Sequence, residues 1–287
     1  MTLLLRDNAD VVEANLRYHL ARGVDFVLVT DNGSRDGTVE ILERYRDRGV
    51  AEIWHEHSPD FDQPAWVTRM ARRAATEHAA DWVINNDADE LWWPKEGNLK
   101  QVFERIPAEY GRLVVSRTNF VARPDDERHP FERMTLREVR PRNVERRLLP
   151  KTAHRGIPDI VVGHGCHNAY APGLAVVPDQ DPIHVFHYSR RSFAQYEQRI
   201  RNAAEIMKSD PEDLGSNATA SWREGYRHLR DGTLRDFYEA SVVDDQAAQS
   251  RIAGGELVLD RRVSHFLRVN GLLEEDVPNS PLRSPAA

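Results

Sequence analysis

Four short apolar runs, Thr2–Leu5, Phe26–Val29, Val50–Trp54 and Trp82–Ile84, recur through the first hundred residues, and an amphipathic stretch fills each gap between them. Continuous apolar runs suit strands buried on both faces, and one-sided stretches suit helices that cover them. The pattern therefore predicts consecutive βα units building a mostly parallel sheet. Asp10 with Glu13 reads as a capping box for a first helix with Val12, Leu16 and Leu20 inward, stopped by Gly23. Val39, Leu42 and Tyr45 mark a second helix from about Thr38, and Val67, Met70, Ala71 and Ala74 a third. Leu99, Val102, Phe103 and Ile106, at i, i+3, i+4 and i+7, mark the most regular one.

The second half is less periodic. Leu113–Val115 resumes strand character, but from Arg123 to about Pro158 the chain is irregular, Pro-rich and charged, as expected of loops over a site. Strand-like runs return at Ile160–Val162, Ala175–Val177 and Ile183–Phe186. Ser192 with Gln195 then caps a helix carrying Phe193, Tyr196, Ile200, Ala203 and Met207. Weaker helical patterns follow to residue 277, and residues 278–287 read as a disordered tail.

At 287 residues the chain can bury a core without staples, and its one cysteine, Cys166, excludes an internal disulfide framework and fits a reducing compartment. A formal net charge of −7 argues against a general polyanion-binding surface, so nucleic acid is not expected as a partner. Met1–Asp7 is too short for a signal-peptide core or a membrane span, and a cytoplasmic location is expected.

The chemistry concentrates at two strand ends. Asp87-Ala88-Asp89-Glu90 places three carboxylates within four positions after an apolar strand. Like charges at about 4 Å repel by roughly 4 kcal/mol near a protein surface, so such a cluster gains from a bound cation, and oxygen ligands select Mg²⁺ or Mn²⁺. A solvated acidic loop would look the same. Asp31-Asn32-Gly33-Ser34 ends another strand, where short polar side chains reach a ribose or base edge, although these turn formers also make an ordinary turn. Ligands of open α/β sheets bind at the carboxyl ends of strands, where both motifs fall.

Taken in this order, the N-terminal strand, Asp31-Asn32-Gly33-Ser34-Arg35-Asp36-Gly37-Thr38 and Asp87-Ala88-Asp89 resemble the nucleotide-sugar-binding half of a family 2 glycosyltransferase of the GT-A fold. The likeness is closest to a bacterial branch with sequences like Asp10–Leu20, Gly23–Asp25, Gln63–Val67 and Ala80–Ile84, and it extends through His187–Ser192. It implies a single GT-A (Rossmann-like) α/β domain over residues 1–208, with a nucleotide-sugar-binding half (1–110) and an acceptor half (111–208), followed by a helical extension (209–277). It also implies an inverting, metal-dependent transfer from a nucleoside-diphosphate sugar to an acceptor hydroxyl or amine. Asp31 and Asn32 would line the nucleoside pocket, Asp87 would approach the ribose, and Asp89 would hold the metal on the diphosphate, with His187 completing its shell. Asn32 and Asn8 stand where acids are common in the family.

Other residues are read from their chemistry. Arg190 and Arg191 can grip a diphosphate bidentately. An acceptor hydroxyl needs a base, for which Asp159 is the first choice and Glu138 and Asp181 are alternatives. His164, Cys166 and His167 match no common structural zinc spacing; the two histidines are candidate acceptor contacts. The basic run from Arg133 to Arg155 is either a solvated face or a surface for an acidic acceptor or an anionic membrane. Trp66, Trp92 and Trp93 divide between core packing and sugar stacking. A sugar nucleotidyltransferase and a non-catalytic sugar- or metal-binding module are the rival functions; against the first, no glycine-rich, lysine-bearing loop follows the first strand.

Overall fold

The computed structural model describes residues 1–57, 61–139, 148–178, 181–207 and 220–273. Its first half follows the sequence pattern closely: β1 (Thr2–Leu5), α1 (Val12–Ala21), β2 (Val27–Asp31), α2 (Thr38–Asp47), β3 (Ala51–His55), α3 (Gln63–Thr76) and β4 (Trp82–Asn86) alternate. Strand β1 pairs in parallel with β2 and β4, and β2 with β3, so the carboxyl ends of all four strands open on one edge. Alternation of side chains divides the core. Val27 and Val29 pack with Leu3, Leu5 and Ile84 on one face, while Leu28 and Val83 meet Val67, Met70, Ala71 and Ala74 of α3 on the other.

The next elements are β5 (Glu90–Pro94), α4 (Leu99–Glu104), β6 (Arg112–Val115), β7 (Arg117–Asn119), α5 (Pro130–Arg133), β8 (Leu136–Glu138) and β9 (Lys151–Arg155). Two of them correct the reading of the sequence. The acidic motif leads straight into a strand, because Leu91 and Trp92 are fully buried. The segment taken for loops over the site supplies β9, which lies inside the six-stranded sheet (β3-β2-β1-β4-β9-β6) and runs antiparallel to β4 and β6. Polar and charged residues concealed it: Lys151, Thr152 and His154 are buried there.

The remaining elements are β10 (Val161–Val162), β11 (Ala169–Tyr170), β12 (Ile183–His187), α6 (Phe193–Met207), α7 (Ala220–Arg230), α8 (Leu234–Glu239), α9 (Asp245–Ala253), β13 (Leu257–Leu259) and α10 (Arg262–Val269). Strand β12 pairs with β5 and β7 in a second sheet that backs the acidic turn. Val263 and Leu267 of α10 join the main core, and β13 pairs with β8. The 278–287 tail lies outside the described residues. Among the described residues no helix is long and apolar enough to cross a membrane.

Candidate active site

The turn after β2 is tied down by its own polar residues. Asp31 is buried and its carboxylate accepts the N–H groups of Gly33 and Ser34, an arrangement that the left-handed backbone of Gly33 (φ 74°) permits. Ser34 Oγ, Thr38 Oγ1 and Asp36 Oδ2 accept the N–H groups of Asp7, Asn8 and Ala9, each at 2.9 Å, so the motif fastens the loop after β1. Asn32 and Asn8 line the cavity at this end; Asp31 does not.

A buried amide shapes the acidic turn. Asn15 Nδ2 donates to the carbonyls of Ala88 (2.9 Å) and Glu90 (2.8 Å), and His19 Nε2 accepts the Trp92 N–H at 3.3 Å. Burial holds His19 down to about 3, so it stays neutral and keeps that lone pair. Asp10, expected to cap α1, instead receives two hydrogen bonds from Arg191, at 2.6 and 3.1 Å, and Glu13 pairs with Arg44; the helix has no side-chain cap.

The three carboxylates then have separate fates. Asp87 is hydrogen-bonded by Lys151 Nζ, which also lies 3.0 Å from Glu90. Arg117 Nη1 donates to Glu90 at 2.9 Å. Crowding within the triplet therefore does not itself demand a metal, because Lys151 and Arg117 neutralise two of its members. Lys151 is buried, which disfavours its charge, but Asp87 and Glu90 outweigh that and hold it above its ordinary range. Asp89 differs. Its Oδ2 has His187 Nε2 and Arg191 Nη1 at 3.5 Å and Arg199 Nη1 at 4.0 Å, none closer. Burial pushes its carboxyl up, yet these three groups hold it far below the carboxylate range.

The donor set fits a divalent cation at Asp89 and His187. Asn119 Oδ1 lies 2.7 Å from His187 Nδ1 and fixes the ring so that Nε2 faces Asp89 Oδ2. Two protein donors suffice for Mg²⁺ or Mn²⁺ when substrate phosphates supply the rest. Among the described residues, no group of three or more His, Cys, Asp or Glu is placed to share an ion.

Around this turn lies a cavity of about 910 Å³. Asn32, Asp87, Asp89, His187 and Arg190 share its wall, as do His164 and His167. Arg191 is buried behind it, engaged by Asp10 and the Tyr188 carbonyl, so it positions Asp89 and is not open to a phosphate. Asp159 is exposed and outside the wall, because β9 runs away from the carboxyl edge and carries the following turn to the other end of the sheet. Asp181, also outside the wall, lies 3.5 Å from Lys95. Glu138 does line the cavity.

Sequence reasoning missed Lys151 and Arg117, which lie on strands without apolar alternation, and Arg199, a polar position on the periodic helix α6 whose place on the cavity wall its spacing did not reveal. The described part of the basic run is internally engaged: Arg133 is buried against Asp125, Arg137 holds Asp260, and Arg155 donates to three backbone carbonyls. Arg140, Arg142, Arg146 and Arg147 lie outside the described residues. Trp92 is core, and Trp66 packs edge-on against Phe61; Phe61 and Trp222 are the large aromatic rings on the wall besides Tyr196.

Comparison with known proteins bears on this geometry. The model of the family described as glycosyl transferase family 2 matches residues 11–167, which contain both motifs. The crystal structure of S. aureus TarS 1-349 is similar at 16% identity and TM-score 0.40, covering 80% of this chain and 71% of that one. Its complex with UDP-GlcNAc gives 17% and 0.39, covering 80% and 72%. A putative glucose-1-phosphate thymidylyltransferase from Bacillus anthracis, in complex with a sucrose, gives 9% and 0.31, covering 81% and 83%. No curated protein matches the chain.

Proposed function

Because the chain belongs to glycosyl transferase family 2 and is a glycosyltransferase, we propose that its donor is a nucleoside-diphosphate sugar held with a divalent cation, Mn²⁺ or Mg²⁺, at Asp89 and His187. The observation that carries this reading is the convergence of Asp89 Oδ2 and an oriented His187 Nε2 on a wall that also presents Asn8 and Asn32. When bound there, the cation supplies Lewis-acid stabilisation of charge developing on the departing diphosphate. Five cations and three carboxylates line the cavity of this acidic chain, a balance that favours an anionic substrate.

Within that reading the chain's own residues divide the work. Asn32 and Asn8 face the nucleoside. Lys151 holds Asp87 in place beside it by a hydrogen bond. Glu138 is the better candidate for the base that takes the acceptor's proton, since it stands on the wall and Asp159 does not. The family resemblance implies an inverting transfer, in which the deprotonated acceptor attacks the anomeric carbon on the side opposite the departing diphosphate.

Incubation with UDP-, GDP- and dTDP-sugars in the presence of MnCl₂ tests the proposal. Release of one nucleoside diphosphate, dependent on the cation and absent in Asp89→Ala, is expected. Release that is unchanged in Asp89→Ala would contradict it.

A further inference from the structure

The cations of the cavity wall are not equivalent. Lys151 and Arg117 are hydrogen-bonded to Asp87 and Glu90, and Arg6 is hydrogen-bonded to Glu205. Arg190 and Arg199 have no such carboxylate among the described residues. Arg199 comes no nearer than 4.0 Å to Asp89, and its buried Nε has no hydrogen-bond partner. Arg190 rests on aromatic faces, 5.1 Å from the Tyr196 ring centroid and 5.2 Å from that of Phe237. Arg199 lies 5.6 Å from the same Tyr196 ring. Two guanidinium groups are thus braced on one aromatic ring and face one cavity, and neither is hydrogen-bonded to a carboxylate among the described residues, which is what sets them apart from Arg6, Arg117 and Lys151. Planar forks of this kind match phosphate oxygens, and an unmet buried donor gains most from an ionised acceptor.

Position indicates which anion belongs there. On α6, Tyr196, Arg199, Asn202 and Ala203 share the face that lines the cavity. Asn202, three residues beyond Arg199, donates to Asp7 Oδ2 at 2.6 Å, and Asp7 in turn accepts the Arg35 N–H of the turn after β2. Arg199 therefore stands between the Asp89 turn and the nucleoside end of the cavity.

We propose that Arg190 and Arg199, braced on Tyr196, form a guanidinium clamp on the donor's diphosphate, so that part of the donor affinity does not depend on a divalent cation. The clamp rests on the nucleoside-diphosphate reading above, and its test separates the two. Inorganic pyrophosphate, which carries no base or sugar, is titrated calorimetrically against the full chain in EDTA at fixed ionic strength, with sulfate as control. Wild-type protein is expected to bind pyrophosphate more tightly than sulfate. Arg199→Ala is expected to weaken it by about tenfold or more, Arg199→Lys by less, and the Arg190→Ala/Arg199→Ala double variant to abolish it. Arg199→Gln, closer in size, gives the same comparison if the alanine variant folds poorly.

UDP, GDP and dTDP with Mn²⁺ form the second arm. The diphosphate that binds should lose affinity in Arg199→Ala in parallel with pyrophosphate. Equal pyrophosphate binding by wild type and Arg199→Ala overturns the clamp, and if a nucleoside diphosphate still binds with Mn²⁺ the donor reading survives without it. Loss of pyrophosphate with unchanged nucleoside-diphosphate affinity also overturns it, placing the anion on the acceptor side. Binding of pyrophosphate but of no nucleoside diphosphate would sink the donor reading and the clamp together.

Discussion

The six-stranded sheet has a cavity at each end, and the two are built differently. At the amino ends of the parallel strands, a space of about 390 Å³ is lined in part by groups already engaged: Asp25 with Lys100, His78 with Glu52, and Arg155 with the carbonyls of Ile106, Pro107 and Tyr110 while stacked on Trp82. At the carboxyl ends, the larger cavity keeps Asp89 Oδ2 at 3.5 Å or more from its neighbours, and Arg190 and Arg199 lack hydrogen-bonded carboxylates among the described residues. Guanidinium groups without a hydrogen-bonded acceptor among the described residues, Arg190 and Arg199, set the carboxyl end apart more than volume does. Strand β9 joins the two ends, with Lys151 at one and Arg155 at the other.

The sharpest way to break this contrast is kinetic. Glu138→Gln at the carboxyl end should lower turnover by about 10²–10⁴-fold with little change in the donor KM, while Asp159→Asn, on the turn at the opposite end, should leave both unchanged. A steady-state assay with the active donor decides it, and the reverse pattern would return the base to Asp159. Next come the two ends of β9. Lys151→Met leaves Asp87 and Glu90 without their shared cation and should cost about 3–5 kcal/mol in urea unfolding. Arg155→Met removes hydrogen bonds to backbone carbonyls at a partly open edge and should cost about 1–3 kcal/mol without affecting donor binding.

Smaller still, per pH unit, is an acid effect on the scaffold. Burial lowers His19 to about 3 and His129 and His154 to about 4, below the ordinary value of 6.5. The unfolded chain then binds more protons than the folded one, so stability is full above pH 6.5 and falls as pH drops toward 4, by up to about 1.4 kcal/mol per pH unit for each histidine. Unfolding curves at pH 7, 6 and 5 measure the slope. His19→Gln should remove one histidine's share; an unchanged slope would mean that His19 is not held neutral.

The same contrast explains what could be read from the chain. The parallel half was legible because Val27–Val29 and Val83–Ile84 are buried on both faces and therefore apolar throughout, and Asp89 stood out by its spacing. Strand β9 was not legible, since Lys151, Thr152 and His154 fill a sheet interior with polar side chains whose partners, Asp87 and Glu90 among them, come from distant elements. The same concealment moved Asp159 to the wrong end. Arg191 looked free beside His187 because its partner Asp10 is 181 positions away. Asn15 carried no visible signal beyond its place in the family-like stretch Asp10–Leu20, although it holds the acidic turn in shape.

Calorimetric titration of UDP, GDP and dTDP, with Mn²⁺ and with EDTA, into wild-type and Asp89→Ala protein tests the assignment of the carboxyl-end cavity most directly. One nucleoside diphosphate should bind markedly tighter with the ion, and the variant, assayed where it remains folded, should lose that gain. Equal gains in both proteins, or no binding of any of the three to the wild type, would contradict it.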